Sequence, residues 1–202
     1  MGTPRAIASR TQLRALVSPL RQEIVDLLAR TGPASAAELG QLIRKAPDGL
    51  YYHLRALARA GLVSLAGTRR RGGREEAVYR STHAQPAVRH DAVPDGNSPQ
   101  VSAIVASMLR LGIRDFRRAA NAGDVRTSGS RRDLWALRVT GWLTPAEVGA
   151  VNRRIRALRD AVGKPRSKGR LYGITILLTP LDHRARRRRR RPPEPGRKRI
   201  TR

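Results

Sequence analysis

Tyr51, Tyr52, His53 and Arg55 fall within one short stretch, APDGLYYHLRALARAGLV, residues 46–63. Two phenols, an imidazole and a guanidinium at this spacing can hydrogen-bond to oxyanions and to the edges of heterocyclic bases, and the Arg fork can hold two acceptors at once. A second group of donors follows in RRRGGRE, where Arg69, Arg70, Arg71 and Arg74 flank two glycines. These groups suit recognition of anions rather than bond making. The chain has no cysteine, so a thiolate nucleophile, a disulfide and a thiolate metal site are all excluded. It has no glycine-rich phosphate loop, no paired-carboxylate site and no His/Asp/Glu cluster with metal spacing, and His83, His90 and His183 stand apart from one another. No catalytic, cofactor-binding or metal-binding residue is expected, and the chain does not read as an enzyme.

The elements that must position these donors are legible from spacing. On a wheel of about 100° per residue, Leu50, Leu54 and Leu57 share one face, with Asp48, Tyr52, Arg55 and Arg59 opposite, Tyr51 on the flank and His53 at the edge. One face of this helix must pack and the other is left for a ligand. For His53 and Arg59 the plainer roles are packing and completion of the helix dipole; for Tyr51, shielding of the helix flank. Two helices precede it. SPLRQEIVDLLAR has Ser18 as N-cap, Pro19 at the first position and an apolar face of Leu20, Ile24, Leu27 and Leu28; SAAELGQLI opens with the capping box Ser35/Glu38. The turn between the second and third of these helices carries Arg44 and Lys45, and Gly61 closes the third. The period then changes to two, and LVSLAGT and EAVYRST read as strands joined by the basic, flexible loop RRRGGRE.

Helix, helix, short turn, helix and basic hairpin is the order of a winged helix-turn-helix. Residues 18–82, with SAAELGQL, HLRALARAGL and the hairpin after them, resemble the ArsR-like winged helix domain of bacterial transcriptional regulators. The resemblance covers about a third of the chain. It implies double-stranded DNA as the partner, read in the major groove by the helix 48–60 and flanked by the wing. DNA-binding residues on this reading are Ser35, Arg44, Lys45, Asp48, Tyr51, Tyr52, Arg55, Arg69, Arg70, Arg71 and Arg74. Ser35 can both cap its helix and touch a phosphate, and Arg55 can take a guanine edge or a phosphate. The metal-sensing branch carries cysteines on its third helix; this chain has none, so metal sensing is not implied.

The rest of the chain reads as a linker (83–99), a C-terminal dimerisation or regulatory domain (100–183) and an Arg-rich disordered tail (184–202). In QVSAIVASMLRLGIRDFRRAA the apolar positions cover more than half the helix circumference, and Ile104, Val105, Met108, Leu111 and Phe116 are expected at a homodimer face; burial inside the C-terminal domain is the alternative. DLWALRVTGW alternates as a strand, Thr144, Pro145 and Glu147 start a helix that runs to Gly163, and LYGITILLTPL reads as a final strand. The fold class is thus α+β, mainly α: an N-terminal winged helix-turn-helix, a small helix/strand C-terminal domain and a basic tail. No residue pattern specifies a small-molecule effector.

Charge agrees with a nucleic-acid partner. The net charge is +27, residues 10–83 carry +7, residues 100–183 carry +10, and the tail 184–202 a further +10. Only four of the 42 cations are lysine, so part of this bias can reflect codon usage. No signal peptide, myristoylation site or membrane span is expected, which makes a cytoplasmic, nucleoid-associated protein the default. The leading expectation is a homodimeric, sequence-specific transcriptional regulator, a repressor by preference because occluding a promoter needs no further contacts, on a near-palindromic operator. The competing expectation is a nucleoid-type protein that coats DNA without sequence preference; an RNA-binding translational factor fits the charge but not the helix-turn-helix order.

Overall fold

A computed structural model describes residues 9–83, 99–162 and 169–181. The first helix, α1 (Arg10–Leu16), begins in a capping box: Ser9 Oγ accepts the Gln12 N–H and Gln12 Oε1 accepts the Ser9 N–H. α2 (Pro19–Thr31) starts on its proline alone, since the Ser18 side chain makes no capping hydrogen bond. A two-residue strand, β1 (Ala34–Ser35), too short to show in the sequence, leads into α3 (Ala36–Ile43). The Ser35/Glu38 box is present as expected, at 3.3 Å for Glu38 N–H to Ser35 Oγ and 2.8 Å for Ser35 N–H to Glu38 Oε2.

α4 (Asp48–Arg59) ends in a Schellman motif. Gly61 sits at φ 70°, its N–H donates to Ala58 O at 2.9 Å, and the Leu62 N–H reaches back to Leu57 O at 3.0 Å. The chain turns directly into β2 (Val63–Arg71), which pairs antiparallel with β3 (Arg74–Ser81); β1 pairs with the other edge of β3, giving a sheet of order β1-β3-β2. The hairpin differs from its expectation. Its strands run to the tip, with Arg71 opposite Arg74, and the loop is just Gly72-Gly73, both at positive φ as a two-residue type I′ turn requires. The wing arginines therefore sit in strand positions rather than in a flexible loop. A bulge at Ala66 shifts the register between Leu65 and Gly67.

Ile24, Leu39, Ile43, Leu50, Leu54, Leu57 and Leu62 are fully buried where α2, α3 and α4 meet. Each contributes about 1.5–3 kcal/mol of apolar burial. His83, expected in the linker, is buried at the end of this unit: its Nδ1 lies 2.8 Å from Thr82 Oγ1, and its carbonyl accepts the Ser81 hydroxyl.

α5 (Pro99–Ala122) is the long helix expected after the linker, and its first turns belong to the N-terminal core. Val101, Ile104 and Ser107 are buried against it. The buried Gln22 amide donates to Leu16 O at 2.6 Å and to Ile104 O at 3.2 Å, tying α1, α2 and α5 together. Further along, the Arg114 guanidinium donates to both Glu23 carboxylate oxygens at 2.7 Å, and its Nε and Nη2 also reach Asp115. These bonds hold Arg114 well above the usual guanidinium range. Ile104, expected at a dimer face, is thus occupied in the chain's own core. Val105, Met108 and Leu111 are half-buried, and Phe116, with Leu109 and Ile113, is exposed.

α6 (Pro145–Val162) has its predicted start, with Thr144 N–H to Glu147 Oε2 at 2.8 Å and Glu147 N–H to Thr144 Oγ1 at 3.3 Å. The two strands expected on either side of it do not form. Segments 134–143 and 171–181 carry neither helix nor strand and belong to no sheet among the described residues. The expected linker beyond His83 and the tail lie outside the described residues.

Candidate nucleic-acid interface

α4 is divided as the wheel requires. Leu50, Leu54 and Leu57 have no exposure at all, while Tyr52 is 65% exposed and Tyr51 40%. Asp48, Arg55 and Arg59 are exposed on the same outward side. Neither tyrosine is needed by the core. Tyr52 is braced edge-on against His53, with ring centroids 5.3 Å apart. His53 is half-buried, and burial together with the charges of Arg21 and Lys45 pushes its imidazole below the usual histidine range, so it is neutral near pH 7. Its Nδ1 is buried without a hydrogen-bond partner, as is Arg21 Nε. Arg21 was missed in the sequence because it lies outside the helix-turn-helix step; its spacing gives no sign that α2 brings its charge near α4.

The turn that aims α4 is tightly built. Arg44 ends α3 in the left-handed conformation, at φ 60°, and is the one non-glycine residue with positive φ among those described. Its N–H and that of Lys45 both return to Gly40 O. A glycine is the usual occupant of such a C-cap, so an arginine there accepts backbone strain and places its charge at the start of the turn. Gly40 is needed for a different reason: a Cβ on it would lie 2.6 Å from Lys45 O. Both cations of the turn are exposed.

The wing is anchored to α3. Arg69 Nη1 donates to Glu38 Oε1 at 2.8 Å and Arg71 Nη1 lies 3.8 Å from the same oxygen. Residues 69 and 71 share one face of β2 by strand alternation, and Arg74 stands opposite Arg71. Arg70, on the other face, stands opposite Glu75. Glu38 thus has two roles the sequence showed only in part: one oxygen closes the helix cap and the other fixes the wing. Ser35, expected to reach a phosphate, is 3% exposed, with its Oγ engaged by Glu38 N–H. It is a structural cap in this arrangement.

A protein-family profile described as a helix-turn-helix domain matches residues 16–66. Residues 16–66 carry a helix-turn-helix domain, the DNA-binding element of transcriptional regulators. The matched range spans α2 through the first part of β2, and so includes Arg44, Lys45 and the whole outward face of α4. No curated protein matches the chain. Among solved structures, a double mutant of ZitR from Lactococcus lactis in its apo form is similar at 14% identity, over 74% of this chain and 86% of that one, with a TM-score of 0.27. That likeness is too distant to inform the site. Among the described residues, no helix is long and apolar enough to cross a membrane.

Proposed function

We propose that this protein is a sequence-specific repressor of the ArsR-like, non-metal-sensing type, which binds a near-palindromic operator as a homodimer. α4 enters the major groove with Tyr52 and Arg55 toward base edges and Tyr51 toward a phosphate or a thymine methyl, and Asp48 at its entrance favours a cytosine amino group. Arg44 and Lys45 in the turn, and Arg69, Arg70, Arg71 and Arg74 on the wing, contact the flanking backbone or the minor groove. Phosphates approaching the wing compete with Glu38 for Arg69. The tail 184–202 adds a non-specific tether that speeds the search along DNA and raises salt-dependent affinity. Nucleoid association follows from that charge.

The observation that carries this reading is the division of α4. A helix that buries three leucines completely while exposing two adjacent tyrosines and an arginine is equipped to read, whereas coating DNA requires only charge. Selection of random duplex DNA by the full chain at physiological salt tests it. Enrichment of a short motif with dyad symmetry is expected. Retained binding without enrichment would favour the nucleoid-type reading, for which the +27 charge is the supporting observation.

A further inference from the structure

The described part of residues 133–181 has no core of its own. α6 buries none of its residues. In segment 134–143, Leu137 and Val139 are more than three-quarters exposed and Trp142 is 84% exposed; in segment 171–181, Ile174 and Leu177 are more than half exposed. Beyond the Leu134 N–H, which donates to Arg126 O, neither segment makes a backbone–backbone hydrogen bond among the described residues.

Yet both segments are held in place. Arg170 donates to the Asp124 carboxylate at 3.1 Å and to the Asp124 carbonyl at 3.2 Å, Tyr172 OH lies 3.5 Å from Asp133 Oδ2, and Arg132 stacks over Trp135 at 3.9 Å. A Cβ on Gly112 would lie 3.2 Å from Thr175 Oγ1, so the second segment runs against α5. The Tyr172–Asp133 bond brings the starts of the two segments together, and both are apolar with backbones largely unpaired among the described residues.

Their chemistry says what covers them. A row of free N–H and C=O groups is satisfied by another strand; an apolar small molecule cannot supply those bonds. Segment 171–181 has no charged residue and segment 134–143 has only Arg138, in a chain that is 28% charged, so the covering strand must be apolar as well. A second copy of this chain brings two such strands. Trp135, Leu137, Val139, Trp142, Ile174 and Leu177 are each more than half exposed on these segments, the kind of contiguous apolar surface that marks a protein–protein contact.

We infer that segments 134–143 and 171–181 are the dimer-forming strands of this protein, pairing with the same segments of a second copy into one intermolecular sheet on which the α6 helices close. The inference rests on the homodimer of the preceding reading and gives it a location, separate from the outer face of α5. It does not depend on which DNA is bound.

Sedimentation velocity of the full chain with Leu137→Arg and Leu177→Arg combined tests it. Both positions are exposed in the single chain, so residues 10–81 should melt as before. The expected result is a wild-type dimer and a variant whose dimer dissociation constant rises at least a hundredfold. A variant that stays dimeric, or a wild type that stays monomeric, overturns the inference. Hydrogen exchange on the wild type gives a second readout: amides of 135–141 and 172–179 should be protected in proportion to the dimer fraction, and free exchange in a dimer would overturn it too. DNA selection separates the two readings. A strand-built dimer that enriches no motif leaves this inference standing and removes the operator; motif enrichment by a variant still dimeric does the reverse.

Discussion

Gly40→Ala and Gly49→Ala make the same chemical change and should shift stability in opposite directions. Both glycines are helical and neither has positive φ. In an open helix position, alanine is favoured over glycine by up to about 1 kcal/mol. At Gly49 a Cβ meets nothing within 4 Å, so that gain should be realised, raising the melting temperature by about 3–6 °C. At Gly40 the Cβ would lie 2.6 Å from Lys45 O, a backbone atom that cannot swing aside. Relief requires α3 and the α3–α4 turn to separate, an overpacking cost of about 1–3 kcal/mol. Set against the propensity gain, the net loss is up to about 2 kcal/mol, or up to about 10 °C for a unit of this size. Because the same turn holds Arg44 in its left-handed conformation and aims α4, Gly40→Ala should also weaken DNA binding when measured well below its melting temperature. Far-UV circular dichroism melts of the full chain decide the first part and fluorescence anisotropy with labelled duplex the second. A Gly40→Ala protein that melts at or above wild type would refute the close approach on which this description of the turn depends.

Replacing Tyr52 and Arg55 together with Ala should remove discrimination between operator and unrelated DNA, by about 1–3 kcal/mol for each bidentate base pairing removed, and leave the melting curve unchanged; unfolding of the variant would show that the face assignment is wrong. Deleting residues 184–202 should lower the slope of log K against log salt by about 0.9 for each phosphate contact removed and leave the selected sequence unaltered; a changed motif would contradict the tether. A double-mutant cycle on Glu23→Gln and Arg114→Gln, read by denaturant melts, should give a coupling of about 1 kcal/mol for a two-pronged, partly buried ion pair, and a value near zero would mean that α5 is held by Gln22 and apolar packing alone. His53 has a depressed folded value, so its contribution to stability is present above the unfolded histidine value of about 6.5 and is lost as pH falls through the folded one, whereas Asp26, pushed up to about 6 by burial, acts in the opposite sense. The melting temperature of His53→Gln relative to wild type should therefore rise as pH drops below about 6.5, and an identical pH dependence in the two proteins would place the titration elsewhere.

Local rules carried the reading of the sequence well where local chemistry decides structure. The Ser35/Glu38 and Thr144/Glu147 boxes, the glycine after α4 and the leucine face of α4 each follow from spacing alone, and each is found as read. Elements that depend on distant partners were less legible. Consecutive arginines are poor strand formers by propensity, yet Arg69 and Arg70 complete the wing because Glu76 and Glu75 stand across from them. β1 is two residues long and exists because β3 offers an edge. The pattern of α5 shows which of its faces are apolar but not what each one meets, so Ile104 was assigned outward when Gln22 and the N-terminal core hold it inward. Alternation in 133–142 and 171–181 reads as two strands, but it could not supply the partner that a strand needs, and neither segment belongs to a sheet among the described residues. Ser35 shows a further ambiguity: a hydroxyl that suits a cap and a phosphate equally reads the same from sequence, and only its burial separates the two.

The attachment of α5 has a mechanical consequence. A helix of 24 residues is about 36 Å long, close to the span of one turn of DNA, and here it is bolted to the reading head at two levels, by Gln22 near its start and Arg114 further along. In a dimer joined beyond α5, the distance and the angular phase between the two reading heads are then set by a rigid rod. One residue inserted into α5 between Arg114 and Ala122 would rotate everything after it by about 100°. Such a protein should keep its fold and its contacts to a single half-site while losing register with the second, so that the operator spacing, rather than the operator letters, becomes the property that changes.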